Sequence, residues 1–329
     1  MKNLISVNNH RLKHLIKSYS VYIPVFIGFI FLYLSCEKTE SYERFDNAMK
    51  LEIPVSGSLQ NPAFSPDGEV IVFTRFSNGY NIEPADIYTY NLNNGNLHLL
   101  VSDGSANVNL PGSCWNLKTE SIVFSSSRDP HDEIFVIDDN GNPGDELQIT
   151  SRSGYMAYEP SFSPDGDWIV YESHPVDVEG QGIIMKHKVD NSIKYLALTD
   201  AGDDCRQPNW SPSGNFILFQ KYENNQWDIW IMNHDGSGKT KVTSGEGDKT
   251  DACFTHDGKF ILYSSDFDLK YANIFKIPVN GGNPVRMTSY GGYDGAPSVS
   301  PDGSKLVFES YGGDPDDSEG TTIWISDIN

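Results

Sequence analysis

A four-residue phrase recurs along the chain: Ser65-Pro66-Asp67-Gly68, Ser163-Pro164-Asp165-Gly166, Ser211-Pro212-Ser213-Gly214, Thr255-His256-Asp257-Gly258 and Ser300-Pro301-Asp302-Gly303. The closing glycines lie 48, 44 and 45 residues apart from Gly166 onward, and the first interval, Gly68 to Gly166, is 98 residues, two periods long. One degenerate copy therefore lies inside it. A period of roughly 40 to 50 residues built from short strands is that of a β-propeller blade, a four-stranded sheet that cannot bury both faces without neighbours.

The copy starting at Gln207 shows the plan. Pro208-Asn209-Trp210 reads as a short inner strand, Ser211 to Gly214 as a tight turn, and Phe216-Ile217-Leu218-Phe219 as a second strand. Asp228 to Met232 is the third strand, Asn233 to Gly238 a polar turn, and the outer strand ends at Val242-Thr243. Proline fixes φ at the first central turn position, Asp or Ser bonds the backbone, and Gly takes positive φ. The degenerate copy runs from Ser113 to Thr150, with Cys114-Trp115 as inner strand and Asn116-Leu117-Lys118-Thr119 in place of the usual turn.

Six copies result, starting near Asn61, Ser113, Pro160, Pro208, Ala252 and Pro297, and the last stops one strand short. Met49 to Val55 stands at the right distance before Pro62 to supply that strand. The expected fold is all-β, a six-bladed β-propeller of four-stranded antiparallel blades closed by an N-terminal strand. Such a clasp removes the exposed edges of an open ring.

The beginning of the chain concerns address. Lys2, Arg11, Lys13 and Lys17 form a basic leader without acidic residues, followed by the apolar run Val21 to Leu34 and then Ser35-Cys36. This core is short for a spanning helix and reads as a signal peptide. A small residue before cysteine resembles the bacterial lipoprotein cleavage box, with Tyr33 departing from it; the resemblance implies lipidation of Cys36. The expected organisation is a signal peptide over 1–35, a tether over 36–46 and the propeller over 47–329. The implied localisation is the bacterial envelope, lipid-anchored, with Glu37 after the cysteine favouring the outer membrane by analogy.

Without residues 1–35 the chain carries 20 basic residues (24 less four) against 45 acidic, a formal charge of −25. Nucleic acid and anionic headgroups are poor partners for such a field. Cys114, Cys205 and Cys253 are an odd set, too few for a disulfide framework; a Cys205–Cys253 bond between adjacent blades stays open.

The pattern Pro-x-Phe/Trp-Ser-Pro-Asp-Gly, an apolar strand, Asp-Ile-Tyr/Trp, a Gly turn and Leu/Val-Thr resembles the WD40-like repeat of the TolB propeller family and recurs from Asn61 to Asn329. The resemblance implies a fold. The same blade type occurs in TolB, in propellers attached to prolyl-oligopeptidase-type peptidases and in oligogalacturonate lyases, so function must come from a site. TolB has a separate α/β domain before its propeller, whereas about 25 residues separate Cys36 from Asn61 here. No Gly-x-Ser-x-Gly elbow accompanies the repeats, and Ser237 sits in a solvent turn. A lyase of this blade type would hold a divalent metal with several histidines. His98, His131, His174, His187, His234 and His256 fall at unrelated blade positions, so no metal or other cofactor is expected. The acidic stretch Asp314 to Gly320 departs from the calcium-loop template and reads as a solvated connection. Asp86, Glu133, Asp228 and Asn273, before the third strands, are expected to bond neighbouring backbone.

Recognition on a propeller resides in its loops and channel mouth. The residues before each inner strand line that mouth: Asn61, Tyr158, Glu159, Arg206, Gln207, Asp251 and Asp294. Similar positions in TolB face the lipoprotein Pal. The connections Ser77 to Ala85, Pro175 to Gln181 and Gly312 to Gly320 add to the same face. The expectation is a monomeric, non-catalytic binding module for a protein or glycan, with a metal-dependent polysaccharide lyase as the alternative.

Overall fold

The computed structural model describes residues 43–328 apart from 45, 103, 105–107, 110–113, 129–130, 179, 268 and 312–319. The leader, Cys36 and most of the Gly312 to Gly320 connection, with its acidic stretch, lie outside the described residues. Six four-stranded antiparallel sheets follow one another along the chain. From inner to outer strand, blade 1 comprises Ser58–Phe64, Val70–Phe76, Ala85–Asn91 and Leu97–Val101. Blade 2 has Val108–Asn109, Ser121–Ser126, Glu133–Asp138 and Leu147–Gln148. Blade 3 has Tyr155–Phe162, Trp168–Pro175, Ile183–Lys188 and Leu196–Ala197, and blade 4 Cys205–Trp210, Phe216–Glu223, Gln226–Asn233 and Thr240–Lys241. Blade 5 has Lys249–Phe254, Phe260–Ser265, Asn273–Pro278 and Val285–Arg286. Blade 6 runs Tyr293–Val299, Lys305–Tyr311 and Thr322–Asp327, and Met49–Lys50 is its outer strand.

The ring is thus closed by the N-terminal segment, with Met49 opposite Ile325 and Lys50 opposite Trp324. The strand is shorter than Met49 to Val55: Leu51 N still bonds Ile323 O, but Leu51, Ile53 and Val55 then turn to pack on the cluster shared by blades 6 and 1. Blade 2 also differs from expectation. Its named inner strand is Val108–Asn109, while Cys114 and Trp115 continue the same edge through the Val123 N–Cys114 O bond and the Trp115–Ile122 bridge.

A period-two rule holds the blades together. Each second strand carries a buried apolar triplet: Ile71-Val72-Phe73, Ile122-Val123-Phe124, Ile169-Val170-Tyr171, Ile217-Leu218-Phe219, Ile261-Leu262-Tyr263 and Leu306-Val307-Phe308. Alternate side chains leave opposite faces of a strand. The central residue therefore packs on the next blade: Val170 against Ile217 and Phe219, Leu218 against Ile261 and Tyr263, Leu262 against Leu306 and Phe308. Val307 meets Ile71 and Phe73, which closes the cycle. Each such side chain contributes about 1.5–3 kcal/mol by leaving water.

The repeated turn is built as its chemistry dictates. Ser65 Oγ donates to Asp67 and accepts from Val70 N, and Gly68 N bonds Ser65 O. Gly68 and Gly166 adopt φ of 76° and 73°, open to glycine at little cost. At the other end of the blade, the threonine closing the outer strand of blades 2 to 5 bonds toward the third strand. Thr150, Thr199, Thr243 and Thr288 Oγ1 accept from the amides of Ile134, Ile184, Ile229 and Ile274. Glu133 and Asp228 bind Thr150 and Thr243 hydroxyls in turn. Only part of their bonding is to backbone: Glu133 accepts from Arg152 N and Asn273 from Tyr290 N, whereas Asp86 takes Ser102 Oγ and Arg75. The three described cysteines are buried and unpaired, and burial pushes the Cys205 and Cys253 thiols up to about 12.

Candidate functional site: the mouth of the axial channel

Every inner strand but that of blade 2 breaks register at one point, between Gln60 and Ala63, Tyr158 and Ser161, Arg206 and Asn209, Thr250 and Cys253, and Gly295 and Ser298. At each break one residue is left-handed: Asn61 (φ 51°), Glu159 (47°), Gln207 (48°), Asp251 (53°) and Ala296 (48°). Four of the five precede a proline that cannot donate to the ladder. Such φ values are uncommon for residues other than glycine, and bulges re-aim side chains. Here they aim toward the axis, around a cavity of about 30 Å³ lined by all five residues.

The bulge frees backbone amides, which acquire acceptors from a neighbouring blade. Glu309 Oε2 accepts from Asn61 N at 2.9 Å, Glu172 Oε2 from Gln207 N at 2.9 Å, and Gln207 Oε1 from Asp251 N at 2.9 Å. Gln207 Nε2 donates to Asp251 Oδ1 (2.9 Å) and Glu159 Oε1 (3.2 Å). Glu159 Oε2 is buried, and the Glu159 carboxyl stands within bonding reach of Glu172. Four carboxylates thus share the channel with one amide bridge. Burial and the nearby Glu172 carboxylate push the Glu159 carboxyl well up. Burial also opposes ionisation of Glu172, but its bond to His174 Nε2 (2.9 Å) and the Arg206 charge hold it below the usual range. Burial pushes Glu309 up to about 7, with Asp251 adding to the effect.

Two tyrosines cover Glu309. Tyr293 Oη donates to Glu309 Oε1 at 2.9 Å, and Tyr80 from the blade 1 connection reaches within 3.5 Å of the same oxygen. Their rings meet edge to face at 6.4 Å, and Tyr80 as a whole remains 41% exposed while its hydroxyl reaches Glu309. Gly295 permits the arrangement: a Cβ there would lie 2.0 Å from Tyr293 Oη.

Of the residues expected at the mouth, Asn61, Glu159, Gln207 and Asp251 converge on the channel. Tyr158 and Arg206 flank it. The Tyr158 ring lies 5.7 Å from His174, and Arg206 pairs with Asp204 (3.0 Å) above Trp227. Asp294 does not join them. It is fully buried on Arg44 (2.6 Å), and Ala296 holds the ring position in blade 6. Arg44 in turn lies over the rings of Tyr290 (4.2 Å) and Trp324 (4.4 Å) and bonds Ser310 Oγ and Asp46. Sequence reasoning missed Glu172 and Glu309. Their signal is the polar residue that follows each apolar triplet, Thr74, Ser125, Glu172, Gln220, Ser264 and Glu309, all buried.

Antiparallel topology places the connections between second and third strands at the same end as the mouth. Exposed apolar side chains gather on or beside them: Tyr80, Ile82, Val178, Tyr222 and Phe267. The six described histidines, by contrast, lie on five blades: His98 bonds Gly141 O and His187 bonds Asn191. Among the described residues no group of three or more His, Cys, Asp or Glu has an arrangement that could hold a metal ion.

Fold and mouth together define a six-bladed propeller with an acidic, tyrosine-covered channel rimmed by apolar loops. The chain belongs to the TolB beta propeller domain family, whose model matches residues 47–226 and 198–318. It is 29% identical over 163 residues to the Tol-Pal system protein TolB of Francisella tularensis subsp. holarctica, half of this chain and 35% of that one. It is 32% identical over 105 residues to an uncharacterised protein of Agrobacterium fabrum, covering 36% of it. The chain spans about a third of the length of these curated relatives. Among solved structures, a putative TolB from Agrobacterium tumefaciens superposes with a TM-score of 0.60 at 16% identity, over 82% of this chain and 90% of the other. Oligogalacturonate lyase from Vibrio parahaemolyticus reaches 0.53 at 12% identity, over 88% and 97%. At these identities the likeness is one of fold.

Proposed function

We propose that the propeller is a binding module of the bacterial envelope that captures a protein partner at its channel mouth, tethered through a lipid on Cys36. The observation that carries this reading is the convergence of Asn61, Glu159, Gln207 and Asp251 on one acidic opening, with exposed apolar side chains on the surrounding loops. Apolar contacts with a few charged anchors suit a reversible protein interface. Relatives that carry the Tol-Pal name favour an envelope protein as partner over a glycan. The lyase reading would require histidines gathered at one point, and they are spread over five blades.

A photo-crosslinking residue in place of Tyr80 at the mouth, compared with one in place of Leu147 on the outer edge, tests the surface. The Tyr80 position should label one envelope protein that the Leu147 position does not, and Glu159→Lys with Asp251→Lys should abolish the label while the melting temperature holds. Equal labelling at both positions would refute the assignment. Loss of fold together with the label would mark Glu159 and Asp251 as packing residues.

A further inference from the structure

On the face opposite the mouth, where the Ser-Pro-Asp-Gly turns lie, blades 3 and 4 flank an open cavity of about 460 Å³. Its walls include Asp165, Trp168, Lys186, Trp210, Ser213 and His234. This volume is within the usual range for small-ligand sites. Lys186 is the anomaly. The side chain is 6% exposed, and its ammonium lies 4.5 Å from the Trp168 ring centroid and 5.9 Å from that of Trp210. It donates to His234 O at 2.8 Å, and among the described residues no carboxylate pairs with it. Buried charges are as a rule paired, and an ammonium has three donors. Burial pushes its pKa down, and Asp235 acts on it only through space. Lys188 stands nearby, 5.5 Å from the Trp168 ring.

The site therefore asks for an anion, but the rest of the wall narrows the choice. Asp165 contributes a carboxylate, one oxygen of which is held by Ser163 Oγ and Asp167 N. That group repels a bare anion and accepts hydroxyl donors. The half-buried Trp168 indole, with what the largely buried Trp210 leaves uncovered, offers apolar surface suited to the C–H face of a sugar ring. We propose that this inter-blade cavity binds a hydroxylated carboxylate of monosaccharide size, a sugar acid, with its carboxylate on Lys186 and its hydroxyls on Asp165 and Ser213. The site is separate from the channel mouth and does not depend on what binds there.

Titration of the whole propeller with sodium D-glucuronate, D-glucose and sodium acetate at constant ionic strength, followed by tryptophan fluorescence and calorimetry, tests the assignment. Glucuronate should saturate with a Kd on the order of 1 mM, and glucose and acetate should bind at least about tenfold more weakly. Lys186→Met should weaken glucuronate about tenfold without lowering the melting temperature, because an unpaired buried charge is replaced by an apolar chain of similar length. Asp165→Ser is a second variant suited to the turn, since Ser213 occupies the same position in blade 4. It should weaken glucuronate, whereas at a simple anion site removing the negative charge would strengthen binding. Absence of saturation, acetate binding as tight as glucuronate, unchanged affinity in Lys186→Met, or tighter binding in Asp165→Ser would each overturn the proposal.

Discussion

Glu309→Gln removes one titration from the folded protein while keeping the shape of a buried side chain. Glu309 is 2% exposed and accepts from Asn61 N and Tyr293 Oη. Burial lifts its carboxyl from 4.5 to about 7. In the unfolded chain it ionises at the ordinary value. Between those two pH values the folded state holds a proton that the unfolded state has released, so the unfolding free energy falls as pH rises. The contribution is fully present below the unfolded value and is lost as pH passes the folded one. At about 1.4 kcal/mol per pH unit over roughly 2.5 units, the full loss is ~3.5 kcal/mol. The amide of the variant keeps an oxygen for Asn61 N and can donate to Tyr293 Oη, so the geometry survives. Urea unfolding at about pH 5 and about pH 8 reads most of the effect: the wild type should lose ~2.5 kcal/mol more than the variant across this interval. The Glu159 carboxyl, also raised, contributes to both proteins and cancels in the difference. Parallel pH dependence in the two proteins would refute the account of a protonated Glu309.

Arg44→Ala leaves the Asp294 carboxylate buried without its counter-charge and should cost about 3–5 kcal/mol in thermal or urea unfolding. Adding Asp294→Asn should recover part of that loss, and a cost under about 1 kcal/mol would place the pair among ordinary surface bridges. Cys36→Ala should move the protein from the membrane to the soluble fraction, and continued membrane partitioning would end the lipid-anchor reading.

The repeat made the fold legible because the turn phrase and the apolar triplet are both local: Ser65 to Gly68 folds on itself, and Ile71-Val72-Phe73 needs only neighbours of the same kind. The closing strand was legible by counting, though its extent was not, since Leu51, Ile53 and Val55 leave the ladder to fill a cluster whose shape depends on blade 1. The site was less readable. Asn61, Glu159, Gln207 and Asp251 are polar and stand at equal distances from their turns. In blade 6 that position is held by apolar Ala296, which carries no sign of a mouth residue, and Asp294 two places earlier was the nearest charge. Its partner Arg44 lies 250 residues away along the chain, and no local pattern announces such a contact. Blade 2 lost the turn phrase altogether because Asn116 replaces it, its Oδ1 accepting from Lys118 N and Thr119 N.

The acidity of the channel has two origins that the bonding separates. Glu172 and Glu309 follow apolar triplets and are engaged by the amides that the bulges of the next blade release, so a propeller with these bulges needs acceptors there whether or not anything binds. Glu159 and Asp251 have no such duty. Each is a bulge residue, they are joined only through Gln207 Nε2, and burial beside Glu172 raises the Glu159 carboxyl toward its neutral form. An opposite charge brought close to such a carboxyl favours its ionised form. A partner that places a basic side chain in the opening acts first on Glu159, while the backbone amides of Gln207 and Asn61 still hold Glu172 and Glu309. Substitutions at Glu159 and Asp251 therefore report on recognition, whereas those at Glu172 and Glu309 report on the ring itself.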